Sequence, residues 1–258
     1  MTKLRELTGF LDELLNLKAF PDDPSNNGLQ FEGGAEVAKA VFAVDACQAT
    51  FDLAADKDAD FVFAHHGLSW GPGVRRATGL SANRLTALAA NGISLYAAHV
   101  PLDANPEFGH NILLARMLDL QEIRPFGLYH GQSIGFAGFL PKPRSIAGIA
   151  KIMDEKLPSS GGFRAIGESE QTQAHSVAVI SGGGAWPELF EDMSGFRPDL
   201  LITGEAGHEV FHPAMEAGVS ILTLGHYRSE TPGVLAVMRI VGEKFGIRTE
   251  FIDLPTGL

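Results

Sequence analysis

The chain has 258 residues, 45% of them apolar, with 30 glycines and 14 prolines spread along it; this is the composition of a globular α/β protein with one large or two small domains. A net charge of −11 argues against a broad basic face, so neither nucleic acid nor an anionic membrane is expected as a partner. The single cysteine, Cys47, rules out an internal disulfide and any cysteine-rich zinc cluster.

Residues 3–17 place Leu4, Leu7, Leu11, Leu14 and Leu15 at helical spacing, with Thr2 as the expected cap. Acids mixed into this stretch mark it as a helix and not a signal peptide, and no apolar run approaches the roughly 18 residues of a membrane span. A cytoplasmic location is therefore expected. The turn-rich loop PDDPSNNGLQFEGG ends in a short strand. Then AVFAVDA, DFVFAHH and ISLYAAH read as strands, separated by the helices ATFDLAADKDA and SANRLTALAANG. Strands alternating with single helices predict parallel or mixed sheet, which collects ligands beyond the carboxyl ends of its strands.

The second half repeats the scheme with HSVAVISGGG, PDLLITGE and VSILTLGH. Aligning Asp60–Ala64 with Asp199–Thr203 sets Gly204-Glu205 opposite His65-His66. Aligning Gly92-Ile93-Ser94 with Gly218-Val219-Ser220, with one extra residue in the second copy, sets His226 opposite His99 and Glu230 opposite Asp103. A polar pair carried across at fixed spacing points to internal duplication. Two related halves facing each other would bring the strand-end clusters together. The division is expected near residue 125, with 1–125 carrying His65, His66 and Asp103 and 126–258 carrying His226 and Glu230.

The chemistry follows from those strand ends. His65, His66, His99 and His226 offer four imidazoles, and Asp103 and Glu230 offer two carboxylates. Neutral imidazole and carboxylate bind zinc, iron, manganese, nickel or cobalt. Six groups exceed one tetrahedral ion and suit two divalent ions sharing a carboxylate. His99 is either a sixth ligand or a proton carrier. His110, His130, His175, His208 and His212 lack such a context and are expected in the core or on the surface. Ser181-Gly182-Gly183-Gly184 lacks the lysine of a P-loop, so a tight strand-to-helix turn is the leading reading and a phosphate cradle the other. Tyr227 and Ser229 are candidate contacts to substrate or water. Cys47 is expected in the core.

The motifs NNGLQ, AHHGLSW, AHVPLDA, LLITGEAGH and LGHYRSE resemble those of the NGG-interacting-factor-like dinuclear metal proteins, also named type 2 homologues of GTP cyclohydrolase 1. The resemblance runs from the first helix to the last strand. It implies two duplicated, intertwined α/β halves with mixed sheets and a metal site between them, assembled as a homohexamer. It implies the metal ligands His65, His66, Asp103, His226 and Glu230, with Glu230 as the bridge. One departure is that the family commonly carries Asp-Asn ahead of Gly-Leu, where this chain has Asn26-Asn27. The function that follows is metal-dependent hydrolysis of a small-molecule substrate, with nucleotides among the candidates, such as loss of guanine C8 as formate, with His99 or Glu205 moving protons. The rival is a non-enzymatic metal-binding scaffold.

Overall fold

The computed structural model describes residues 1–157, 163–167, 169–191, 193 and 195–258. Its strands are β1 (Thr2–Lys3), β2 (Gly28–Phe31), β3 (Glu36–Val37), β4 (Lys39–Asp45), β5 (Phe61–His66), β6 (Ser94–Ala97), β7 (Gln121–Tyr129), β8 (Gln132–Ser145), β9 (Arg164–Ile166), β10 (Gln173–Ile180), β11 (Leu200–Thr203), β12 (Ser220–Thr223) and β13 (Arg248–Phe251). Its α-helices are α1 (Leu4–Leu14), α2 (Gln48–Asp56), α3 (Leu80–Asn91), α4 (Val100–Asp103), α5 (His110–Met117), α6 (Ile146–Lys156), α7 (Pro187–Glu191), α8 (Phe211–Ala217), α9 (His226–Ser229) and α10 (Thr231–Phe245). They form two compact units, Met1–Leu102 with Val234–Leu254, and Asp103–Gly233 with Pro255–Leu258. Residue 125, where the sequence suggested a division, lies inside β7. Local patterning does not reveal that β13 returns to pair with β4 in the first unit.

The first unit is built on a sheet ordered β13-β4-β5-β6-β2, parallel except for β2 at its edge. Side chains alternate between the faces of each strand. Val41, Val62, Ala64 and Leu95 therefore join Phe51 and Leu88 of α2 and α3 in one core. Phe42, Phe63 and Tyr96 stack on the other face, with centroids 5.5 and 5.8 Å apart. The Tyr96 hydroxyl donates to Asp12 of α1 at 2.9 Å, which fixes that helix to this face. The expected Thr2 cap does not form. Thr2 is paired in β1, and its hydroxyl reaches the Glu6 carboxylate at 3.4 Å instead.

The second unit has the order β7-β8-β10-β11-β12-β9, with β10, β11 and β12 parallel and the others antiparallel. Val177, Val179, Leu200, Ile202 and Leu222 share a core with α5 and α6. The duplication read from the sequence extends to individual hydrogen bonds. Asp60 takes the N–H groups of Ala38 and Lys39 at 2.7 and 3.0 Å, and Asp199 takes those of His175 and Ser176 at 2.9 and 2.8 Å. The N–H of Ser94 donates to the Asp60 carbonyl at 2.9 Å, and that of Ser220 to the Asp199 carbonyl at 3.0 Å. Each run of parallel strands ends with an antiparallel strand beside its last member, β2 beside β6 and β9 beside β12.

Strand register also identifies the extra residue of the second copy. Ala98 donates to the Ala64 carbonyl, and Leu224 to that of Thr203, so Ala98 and Leu224 are equivalent. Gly225 is then the inserted residue before His226. Its φ of 94° lies in the left-handed region, which only glycine adopts without strain.

Candidate metal centre

In the first unit, β5 delivers His65 and His66 at its carboxyl end, and β6 leads directly to His99. Side chains of adjacent strand residues point to opposite faces of a sheet. The rings are tilted by 49°, yet their centroids are only 4.6 Å apart, because His66 is the last residue of the strand. The His99 ring lies 5.2 Å from His65 and 5.7 Å from His66. Ring nitrogens of all three fall within 4.8 Å of one another.

Each imidazole is oriented through Nδ1. His65, fully buried, meets the Ala98 carbonyl at 2.9 Å. His66 meets Asp45 at 2.9 Å, and His99 meets Asp23 at 2.9 Å. Carbonyl and carboxylate oxygens accept only, so Nδ1 carries the proton and the lone pair of the neutral ring sits on Nε2.

Asp23 and Asp45, which orient candidate site histidines, are not singled out by the sequence analysis. Asp45 ends β4 in register with His66, a signal visible once the strands are aligned. Asp23 lies in the turn-rich loop, 76 residues before His99, and no periodicity marks it. Its side chain is 1% exposed and also accepts from the Val100 N–H at 3.0 Å and the Asn27 amide at 2.8 Å. Burial pushes its carboxyl up, but His99, Asn27 and the Ser25 N–H outweigh this and hold it below the usual carboxylate range. Asn27 completes the support by accepting the His99 N–H at 2.8 Å.

In the second unit, β12 and Gly225 lead into α9, which carries His226 at its start and Glu230 just beyond its end. His226 bonds Glu205 through Nδ1 at 2.9 Å and faces Glu230 through Nε2 at 3.3 Å. Burial would lower the His226 pKa, but Glu230 and then Glu205 raise it to about 9. Glu205 therefore stands as the orienting carboxylate of His226, as Asp45 does for His66.

Asp103 and Glu230 are buried, with exposures of 7% and 3%. The Ser181 hydroxyl donates to Asp103 at 2.9 Å, and the Ser181 N–H donates to Asn111 at 2.6 Å. At Gly182 a Cβ would strike the Glu230 carboxylate and come 3.2 Å from His226 Nε2. The Ser181–Gly184 loop is thus a tight turn whose backbone lies against Glu230. Ser229 is fully buried; it donates to the His226 carbonyl at 2.8 Å and accepts from the Gly182 N–H at 2.9 Å. Its role is to tie α9 to that turn. Tyr227 is buried.

Of the remaining histidines, His110 is fully buried and accepts the Gly233 N–H through Nδ1 at 3.0 Å, which puts its ring proton on Nε2. His208 and His212 are exposed, and His175 packs beside Phe139. Cys47 is half-buried at the start of α2, with its sulfur 3.3 Å from Thr50 Oγ1, and is not a full core residue.

The donor chemistry fits divalent ions. Groups of His, Asp and Glu capable of holding a metal are present, with nitrogen and oxygen donors and no sulfur. Nδ1 bonded to carbonyl or carboxylate is the usual outer support of a metal-ligating imidazole. Strand-end histidines and buried carboxylates on a duplicated α/β scaffold define the class as a candidate metalloprotein.

The chain belongs to the Duf34/NIF3 (NGG1p interacting factor 3) family, whose model matches residues 2–256. It is 46% identical over 253 residues to the GTP cyclohydrolase 1 type 2 homolog of Pyrococcus horikoshii, covering 98% of each chain. It is 38% identical to that of Archaeoglobus fulgidus, covering 99% of each. Among solved structures it is similar to TTHA1606 from Thermus thermophilus, with a TM-score of 0.87, 36% identity and coverage of 100% of both chains. The protein ybgI gives the same TM-score at 32% identity, again with both chains fully covered. No described helix is long and apolar enough to cross a membrane.

Proposed function

We propose that this protein is a metal-dependent hydrolase with two divalent ions per chain, held by His65, His66, Asp103, His226 and Glu230, with Glu230 shared. The observation that carries the reading is the common orientation of His65, His66 and His226, each held at Nδ1 by a carbonyl or carboxylate. Bound there, the ions supply Lewis acidity and neutralise developing negative charge. The protein's own groups do the rest. Asp45 and Glu205 keep His66 and His226 aimed, and Ser181 fixes Asp103. His99, held by Asp23, takes and returns protons at Nε2.

The names of the relatives make GTP the first substrate to test: one water would add at guanine C8 with cleavage of the C8–N9 bond, and a second would cleave the resulting formamide at N7, releasing that carbon as formate and leaving a diaminopyrimidine triphosphate. Assembly as a ring of six chains belongs to the same proposal, and light scattering near six times 27.5 kDa would support it. The decisive test is formate release from GTP and turnover on a phosphoester and amide panel. Activity should vanish with chelator and return with zinc, iron, manganese, nickel or cobalt. His99→Ala should keep its metal and lose turnover. No turnover on any substrate by fully loaded protein would replace the hydrolase reading with the scaffold one.

A further inference from the structure

Trp70 lies four residues beyond His66 and is 36% exposed. It is nevertheless held firmly. Its indole N–H donates to the Gly67 carbonyl at 2.9 Å, and its backbone bridges to Ser25. Gly71 donates to the Pro24 carbonyl at 2.7 Å, while Gln30 accepts the N–H groups of Leu68 and Ser69 at 2.7 and 3.0 Å. The ring meets His99 edge-on, with centroids 5.0 Å apart at 71°, and lies 6.1 Å from His66.

Keeping part of a large aromatic ring in water forgoes burial energy. Fixing it there removes in advance the ordering cost that a ligand would otherwise bear. The result is a rigid π surface beside the candidate metal-binding histidines and beside His99.

We propose that Trp70 is the stacking platform for a planar heteroaromatic ring of the substrate, of the nucleobase type. The proposal rests on the hydrolase reading of the adjoining site and adds to it the residue that would receive the base. A phosphate group is recognised by charge and gains little from an indole face, whereas every nucleobase presents a π face to stack.

The test uses metal-loaded protein carrying Trp186→Phe, which leaves Trp70 as the sole tryptophan. It is titrated with GTP, guanosine and inorganic tripolyphosphate. GTP and guanosine should quench Trp70 fluorescence saturably and protect it from acrylamide; tripolyphosphate should do neither. Trp70→Leu should weaken guanosine binding at least about 5-fold, and Trp70→Phe should recover most of it. Metal content and tripolyphosphate affinity should stay unchanged in both. Undiminished guanosine affinity in Trp70→Leu would overturn the proposal. So would failure of guanosine, adenosine, uridine and a pterin to bind the Trp70 protein. Chelator-sensitive phosphoester hydrolysis would then leave the hydrolase reading standing, whereas stacking without any hydrolysis would remove that reading alone.

Discussion

The first unit ends its central strand β5 in two imidazoles, whereas the second ends the matching strand β11 in Thr203, followed by Gly204 and Glu205. Behind those ends the scaffolds agree, down to the paired acceptors Asp60 and Asp199 and the serines that follow them in register. The first unit contributes imidazoles and uses Asp23 and Asp45 to aim them. The second contributes the buried carboxylates Asp103 and Glu230 with one imidazole, and packs a glycine turn against Glu230. A duplicated scaffold can thus keep its hydrogen-bond frame while its strand ends diverge in chemistry. That separation of frame from ends can be broken by experiment.

The largest effects should come from the proposed ligands. His65→Ala in the first unit and Asp103→Ala in the second should each lower metal-dependent kcat/KM by more than about 100-fold, beyond the usual loss from an outer partner. Circular dichroism should show the fold retained. A unit whose ligand can be removed without loss would have no part in the site.

Next is Gly182→Ala. A φ of 59° costs an L-residue about 1–2 kcal/mol, and the new Cβ collides with the Glu230 carboxylate. Metal content should fall together with thermal stability. Gly33→Ala in the first unit, where the Cβ would instead meet the backbone of Gly92 and Ile93, should cost stability and leave metal content unchanged. Equal metal loss in both variants would mean that frame and ends are not separable.

The orienting carboxylates rank third. Asp45→Asn and Glu205→Gln should each weaken metal binding roughly 10–100-fold, measured by competition with a chelating indicator. A change confined to one of them would show that only one unit uses a carboxylate to aim its imidazole.

The frame itself gives the smallest effects. Asp60→Ala and Asp199→Ala should each destabilise by about 1–2 kcal/mol in urea unfolding, with metal affinity unchanged. For Asp199, burial raises the carboxyl pKa, but the N–H groups of Ser176 and His175 outweigh it and leave the pKa lowered. Its contribution is therefore fully present above the ordinary value of 3.8 and is lost as pH falls through the lowered folded value. The gap between wild type and Asp199→Ala should close only in that acid range.

Much of this arrangement is legible in the sequence because it repeats. The apolar runs ending in His65-His66, Thr203-Gly204-Glu205, His99 and His226 mark strand ends, and the Asp60 and Asp199 alignment is reproduced bond for bond. What is not legible depends on distant pairing. The return of β13 to β4 draws the chain's last helix and strand into the first unit, so no single cut divides the units. Asp23 reaches His99 from a loop with no pattern of its own. Ser229 looks accessible beside the histidine motif, but it is consumed by the Gly182 turn.

The proposal of two divalent ions per chain is tested most directly by elemental analysis of protein reconstituted without chelators or affinity nickel. The account predicts close to two equivalents of divalent metal per chain, with Glu230→Ala losing part of both. A reproducible plateau at one or zero equivalents in folded protein would contradict it.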